Sequence, residues 1–411
     1  MTIQTTFKID AARVLGDLNA LRQMGAYKTG VHRPSLSREH VASLDWLAAQ
    51  LPSAGLTPTI DGIGNVLGVS SKVGRKLLAG SHLESQNQAG WLDGPLGVVY
   101  ALEAARVLNN ASAAGGVVEV AAWCDEEGHF GNFLGSLSYV GKLSDSDIDA
   151  AVDRTSGRPM REALAEAGYA GRPRLTVERG RYLGYLEAHI EQGDWLETQK
   201  LSIGVVTSIV GIWQFKLIVT GAQNHAGTTR MAIRRDAGLA AAKLLVALDA
   251  TFPKAAGPRT VWTAGRITLD PGAPSIIPGR TEVLFQIRDD DVAVLERLEK
   301  LLRDTAAAHT KAGPCGIAVD KLRASTPARM DAGFQKAIEA AAKVHAGGKS
   351  VPLPSGAGHD AQILSTVMPA GMMFVPSIGG ISHHWTENTS DADIVTGAQV
   401  FVAACAAVLA G

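Results

Sequence analysis

The chain has 411 residues, with Lys+Arg 39 against Asp+Glu 40 and a formal net charge of -1. At about 150 residues per domain, that length suggests two or three domains, or one large one. The balanced charge gives no default attraction to nucleic acid or to an anionic membrane, and 46% hydrophobic with 19% charged residues is ordinary globular usage that argues against extensive disorder.

The first elements read as helices. Ala11–Met24 and Arg38–Ala54 carry apolar residues at three- and four-residue spacing, with Ser37 placed to cap the second. Short apolar runs then alternate with helical ones: strands at Asn65–Val69 and Lys76–Ala79, an Ala-rich helix at Gly97–Leu108, and a buried strand at Val117–Trp123. This alternation predicts an α/β layer with a mostly parallel sheet. Arg154–Arg181 is polar and irregular, with a short helix at Met160–Ala167. After Ser208 the pattern becomes β-α-β-β-α-β: Trp213–Thr220, Asp236–Leu248, Arg259–Leu269, Arg280–Arg288, Val292–Lys311 and Gly316–Leu322. That is the ferredoxin-like split βαβ order. The α/β pattern resumes with a helix at Ala332–His345, an apolar run at Gly371–Val375 and a closing helix at Asp391–Leu409. The expected architecture is an α/β catalytic domain over 1–210 and 326–411, interrupted by a ferredoxin-like α+β insert over 211–325.

No run of about 18 apolar residues is read, so no membrane-spanning helix is expected. Met1–Asp10 lacks the basic-then-apolar pattern of a signal peptide. The three cysteines, Cys124, Cys315 and Cys405, are unpatterned and fit a reduced, cytoplasmic protein.

Five segments combine acids and histidines with small residues beside apolar strands: Ala79–Glu84, Trp91–Gly97, Cys124–Gly128, Glu187–Gly193 and Gly379–Glu387. Ligand-type side chains beyond the carboxyl ends of strands mark functional sites in open α/β sheets. Imidazole and carboxylate together suit Zn²⁺, Mn²⁺ or Co²⁺. A carboxylate beside a metal ion can take a proton from its water, whose pKa falls to about 7. A single histidine at a strand end is more often a hydrogen-bonded structural residue, and paired glutamates alone are usually a solvated face. The recurrence of His82, Asp93, Glu127, His189 and His383 at such places argues against the plainer reading.

Taken together, these segments resemble the hydantoinase/carbamoylase amidohydrolases, dinuclear metal amidases related to aminoacylases and zinc exopeptidases. The resemblance runs from about Arg22 to Ala410, with the motifs in the family order. It implies two divalent metal ions per subunit, Zn²⁺ first with Mn²⁺, Co²⁺ or Ni²⁺ as alternatives. His82 and Asp93 would be ligands, with Asp93 bridging. Glu127 and His383 would bind one ion each, and His189 would complete the other side. Glu126 matches the general base. In the insert, Gly221–Thr229 resembles the family's His-Ala-Gly-Thr-Thr segment, which implies that His225 polarises the scissile carbonyl across a homodimer interface, against the alternative of a structural histidine capping its loop. Arg288 matches the arginine that pairs with a substrate carboxylate through two parallel hydrogen bonds, against the alternative of a strand arginine paired with Asp289 or Asp290. Gln192 matches a substrate-contacting position, and Gly356–Ala361 matches a family segment whose small residues Gly356 and Ala357 let the backbone approach a ligand, with His359 either facing substrate or supporting the residues that do.

Three positions depart from the pattern. Glu84 stands where the family usually has Asp, an acid that orients the metal-binding histidine. Ser275 replaces an Asn that helps grip the substrate carboxylate. Trp91 lies in an altered run before Asp93, as a pocket wall or as loop packing. The implied activity is hydrolysis of a C–N bond in a small N-carbamoyl or ureido carboxylate, by a homodimer joined through a lid-like insert, with no nucleic-acid or membrane partner. An aminoacylase or dipeptidase is the nearest alternative, and a catalytically silent scaffold protein is the alternative from another class.

Overall fold

The structure is a computed structural model and describes residues 7–111 and 115–411. Two compact units are present, one of Met1–Thr207 with Arg329–Gly411 and one of Ser208–Ala328.

The larger unit is built on a nine-stranded sheet. Ala328–Arg329, Ile203–Ile209, Ala370–Val375, Tyr185–Ile190, Lys76–His82, Val117–Trp123, Val66–Val69 and Thr57–Ile60 lie side by side in that order, and Ser350–Ser355 pairs with Ile203–Ile209. The four central strands, from Ala370–Val375 to Val117–Trp123, are parallel. Outside them, Ala370–Val375 meets Ile203–Ile209 antiparallel, as do Val117–Trp123 and Val66–Val69, and Val66–Val69 and Thr57–Ile60. The sheet is therefore mixed, which corrects the expectation of a mostly parallel one. Tyr185–Ile190, Val117–Trp123 and Ala370–Val375 are buried along their whole length, as strands covered on both faces must be. A parallel core brings the carboxyl ends of its strands to one edge, and that edge carries the site.

Local chemistry starts the helices around this sheet. Ser37 Oγ accepts from the His40 amide and begins Arg38–Gln50, which ends before a short 3₁₀ turn at Leu51–Ala54. Pro95 opens Pro95–Leu108, where its missing N–H costs nothing. Ser390 caps Asp391–Ala410. This last helix is long and apolar enough, by length and composition, to cross a membrane, which corrects the expectation that none would be. Its apolarity has a structural use, because Ile394, Val400, Phe401, Val402, Cys405 and Leu409 are buried in the core and the helix packs on Pro95–Leu108 and Ala332–His345.

The smaller unit has a four-stranded antiparallel sheet in the order Val261–Asp270, Arg280–Asp289, Gly211–Thr220, Gly316–Ala324. Its helices are Ala237–Thr251 and Val292–Ala312. Alternation along the inner strands sends Trp213, Phe215, Leu217, Val219, Val283, Phe285 and Ile287 into a core shared with these helices. Gln214, Gln286 and Arg288 fall on the other face.

Candidate metal centre

Four parallel-strand ends and one helix start converge on a single carboxylate. His82 is the last residue of its strand, His189 lies in Tyr185–Ile190, Glu126 and Glu127 follow Val117–Trp123, and His383 follows Ala370–Val375. Asp93 sits in the turn before Pro95–Leu108. One Asp93 oxygen is 2.9 Å from His189 Nε2 and 3.5 Å from His82 Nε2. Its other oxygen is 3.4 Å from His383 Nε2, which is in turn 3.7 Å from Glu127 Oε2. Two ligand groups therefore share Asp93: His82, Asp93 and His189, and Asp93, Glu127 and His383. Glu127 and His383 lie in the same group, and His189 lies with His82 in the other.

The donor set fits a divalent ion. Buried His82 Nε2 and Glu127 Oε1 have no hydrogen-bond partner among the described residues, and buried polar atoms are rarely left so. Imidazole with carboxylate is a ligand set for Zn²⁺ and its first-row neighbours.

The backbone is shaped to allow this convergence. Gly94 has φ +84, and a Cβ there would stand 2.5 Å from the His82 ring, so only glycine lets the Asp93 turn approach. Asp125, Gln192 and His383 adopt positive φ without being glycine, a conformation that clusters at functional sites. Asp125 secures its loop by accepting from the amides of His129, Phe130 and Gly131.

The charges respond to one another. Burial would raise Asp93, but His189, His383 and His82 overcome it and hold the carboxyl well below its usual range. Burial pushes Glu126 well above the carboxylate range, opposed by His82 and reinforced by Glu127. His383 is pushed up to about 9, chiefly by its hydrogen bond to Asp93. Glu126 Oε2 lies 3.7 Å from His82 Nε2, beside the shared carboxylate rather than in either ligand group. A carboxyl so placed is within reach of a group bound at the shared carboxylate, the position a proton carrier needs.

The remaining candidates take defined places. Gln192 Nε2 donates to Asp93 Oδ2 at 2.8 Å, inside the centre. His359 is buried, its Nε2 2.9 Å from Ser355 Oγ and its ring 4.6 Å from that of His189. Gly356 faces open space, and the Ala357 carbonyl accepts from Ser355 Oγ. Trp91 is buried in the core under Arg22, so it packs the loop. In the smaller unit, Asn224–His225 pairs with Ile276–Ile277, and the Ala226 amide donates to the Ser275 carbonyl, which brings His225 and Ser275 together. His225 is exposed, and its Nδ1 accepts from the Gly227 and Thr228 amides. That leaves Nε2 to carry a proton outward. The Gln286 amide, with its oxygen toward Arg288, accepts from Nε and Nη2 at 2.7 and 3.0 Å. Asp289 is engaged by Thr260 and Asp290 by Ser208. Arg323, not singled out in the sequence, lies close enough to Arg288 for the two guanidiniums to repel.

Glu387, which closes the Gly379–Glu387 segment, was given no role from the sequence. Buried Glu387 accepts from the Leu92 and Asp93 amides at 3.4 and 3.2 Å, and from Ser382 Oγ at 3.0 Å. It ties the His383 loop to the Asp93 turn. Its one signal was its position four residues after His383.

A family description, Peptidase family M20/M25/M40, matches residues 76–407. The chain is 33% identical over 415 residues to an N-carbamoyl-L-amino-acid amidohydrolase of Paenarthrobacter aurescens, covering 97% of this chain and 98% of that one. The chain belongs to peptidase family M20/M25/M40, among its hydantoinase/carbamoylase amidohydrolases. A crystal structure of a hydantoinase/carbamoylase family amidase from Burkholderia phymatum matches with TM-score 0.91 and 43% identity, over 98% of each chain. An allantoate amidohydrolase of Bacillus subtilis is 32% identical over 377 residues, 86% of this chain and 88% of that one. This M20 member is thus an enzyme, a hydrolase of carbon–nitrogen bonds other than peptide bonds, with His, Asp and Glu groups able to hold metal.

Proposed function

We propose that this amidohydrolase cleaves the carbamoyl C–N bond of small N-carbamoyl or ureido carboxylates, using two divalent ions, Zn²⁺ first. The reaction consumes one water and yields the free amine, ammonia and carbon dioxide. The observation that carries the reading is the sharing of Asp93 by two His/Asp/Glu groups with Glu126 alongside. Ions held there supply Lewis acidity toward the carbonyl and lower the pKa of a water to about 7. Glu126 takes the proton of the attacking water and passes it to the departing nitrogen, a role suited to its raised proton affinity. Gln192 orients substrate beside Asp93. His359, with Gly356 and Ala357, shapes the neighbouring surface.

In the smaller unit, Arg288 pairs with the substrate carboxylate and Ser275 assists it. His225 donates from Nε2 to the scissile carbonyl of substrate held by a second copy. The Val261–Asp270 edge strand supports a homodimer through this unit, since it is exposed along nearly its whole length and displays Val261, Ile267 and Leu269. Long unprotected edges of this kind are where strands of another chain add. The three cysteines are free and buried, which suits a reducing cytoplasm.

A panel of N-carbamoyl-L-amino acids, β-ureidopropionate, allantoate and N-acetyl-amino acids, followed by ammonia and amine release, tests the reading. Ammonia from carbamoyl or ureido substrates is expected. Release of amine from N-acetyl-amino acids alone would make the enzyme an aminoacylase instead.

A further inference from the structure

Beneath Glu126 runs a buried polar chain that the proposed reaction does not use. Glu84 is fully buried, and its Oε1 accepts from the Glu126 amide at 2.5 Å and faces the Glu127 amide at 3.4 Å. Its Oε2 stands 3.4 Å from His40 Nε2 in an ion-pair contact, and among the described residues neither atom makes a hydrogen bond. The Leu36 amide donates to His40 Nδ1 at 2.9 Å, which fixes the proton of the neutral ring on Nε2, facing Glu84. Buried Arg33 clamps the same segment: its Nε donates to the Leu83 carbonyl at 2.6 Å, its amide donates to Ser85 Oγ, and its carbonyl accepts from the Ser85 amide.

The acid at this position was expected to orient His82. Here His82 Nδ1 lies 3.1 Å from the Glu84 main-chain oxygen and 3.9 Å from its carboxylate. The backbone carbonyl orients the ring, and the longer side chain reaches past it to the Glu126–Glu127 turn.

We propose that Glu84, faced by His40, is a positioning residue for Glu126 that acts by fixing the peptide on which the proton carrier stands. The proposal rests on the reading of Glu126 as that carrier. An aspartate would withdraw the carboxylate by about 1.5 Å, one carbon–carbon bond, and open the 2.5 Å contact beyond hydrogen-bond range.

The test compares Glu84→Asp, His40→Leu and His40→Gln with the unmutated protein. In metal-free protein, hydrogen exchange of the amides of Glu126 and Glu127 is expected to quicken about tenfold or more in Glu84→Asp, and less in His40→Leu. Exchange in Tyr185–Ile190 should stay unchanged. His40→Gln, which keeps an N–H donor, should restore protection. Affinity for Zn²⁺ should stay within about threefold, whereas loss of an imidazole-orienting partner costs about 10–100-fold. In the active enzyme kcat should fall on the order of 10²-fold, as small misplacements of a reacting group do. Glu84→Asp should add nothing in a Glu126→Gln background, because both changes act through one group. Unchanged exchange at the two amides, or a large loss of Zn²⁺ affinity with those amides still protected, would overturn the proposal. Absence of hydrolysis by the unmutated protein would instead reject the proposed function, and the exchange result would still decide the role of Glu84.

Discussion

The two units hold their candidate residues in opposite ways. In the larger unit, His82, Asp93, Glu127 and His189 are buried, and second layers such as Glu84 and Glu387 hold the loops that carry them. In the smaller unit, His225 and Ser275 are exposed and Arg288 is half-buried on a polar sheet face. A metal centre needs several like or competing charges forced together, and only a rigid, desolvated frame achieves that. Residues that grip a substrate need donors left available. His225 meets this need, with one ring nitrogen engaged by its own loop and the other free to donate.

Breaking the larger unit should therefore cost more than breaking the smaller. Asp93→Ala is expected to abolish hydrolysis and empty both ligand groups together, and metal analysis of the purified protein checks this; retention of one ion would show that the groups are independent. Glu126→Gln should keep its metal while kcat falls by about 10²–10⁴-fold, the usual contribution of a positioned proton carrier. His225→Ala should lower kcat by about 10²–10³-fold with unchanged metal content, as removal of one carbonyl-polarising donor does. Arg288→Ala should mainly raise KM, by about 10–100-fold, since a charge-assisted hydrogen bond contributes roughly 1.5–3 kcal/mol.

The smallest effect concerns the frame. Burial pushes His40 down to about 4, so the folded protein keeps its ring neutral. Its contribution to stability is present above the unfolded pKa of about 6.5 and is lost as pH falls toward 4. Denaturant unfolding of metal-free protein should show that loss, on the order of 2–3 kcal/mol, and His40→Gln should lack it.

Much of the fold was legible because its elements carry one-dimensional signals. Val117–Trp123 and Ala332–His345 match their expected bounds, one as an apolar run broken only by Glu119 and the other as an amphipathic repeat. Tyr185–Ile190 was not read as a strand, because Glu187 and His189 interrupt its apolar pattern while being buried. The antiparallel flanks of the sheet were missed because strand direction is set by pairing between distant segments. For the centre, the residue types and their order were visible through the family resemblance, while the sharing of Asp93 was not readable from spacing. His40 carries no signal in the sequence and Glu84 read as a variant ligand-orienter, since a hydrogen bond between residues 84 and 126 leaves no periodic trace.

The most direct test titrates Zn²⁺ into metal-free protein while following both bound metal and ammonia release from an N-carbamoyl-L-amino acid. Binding is expected to saturate at about two ions per chain, with hydrolysis absent before metal is added and restored as both ligand groups fill. Full hydrolysis in the metal-free protein, or saturation without any ammonia release from carbamoyl substrates, would contradict this expectation.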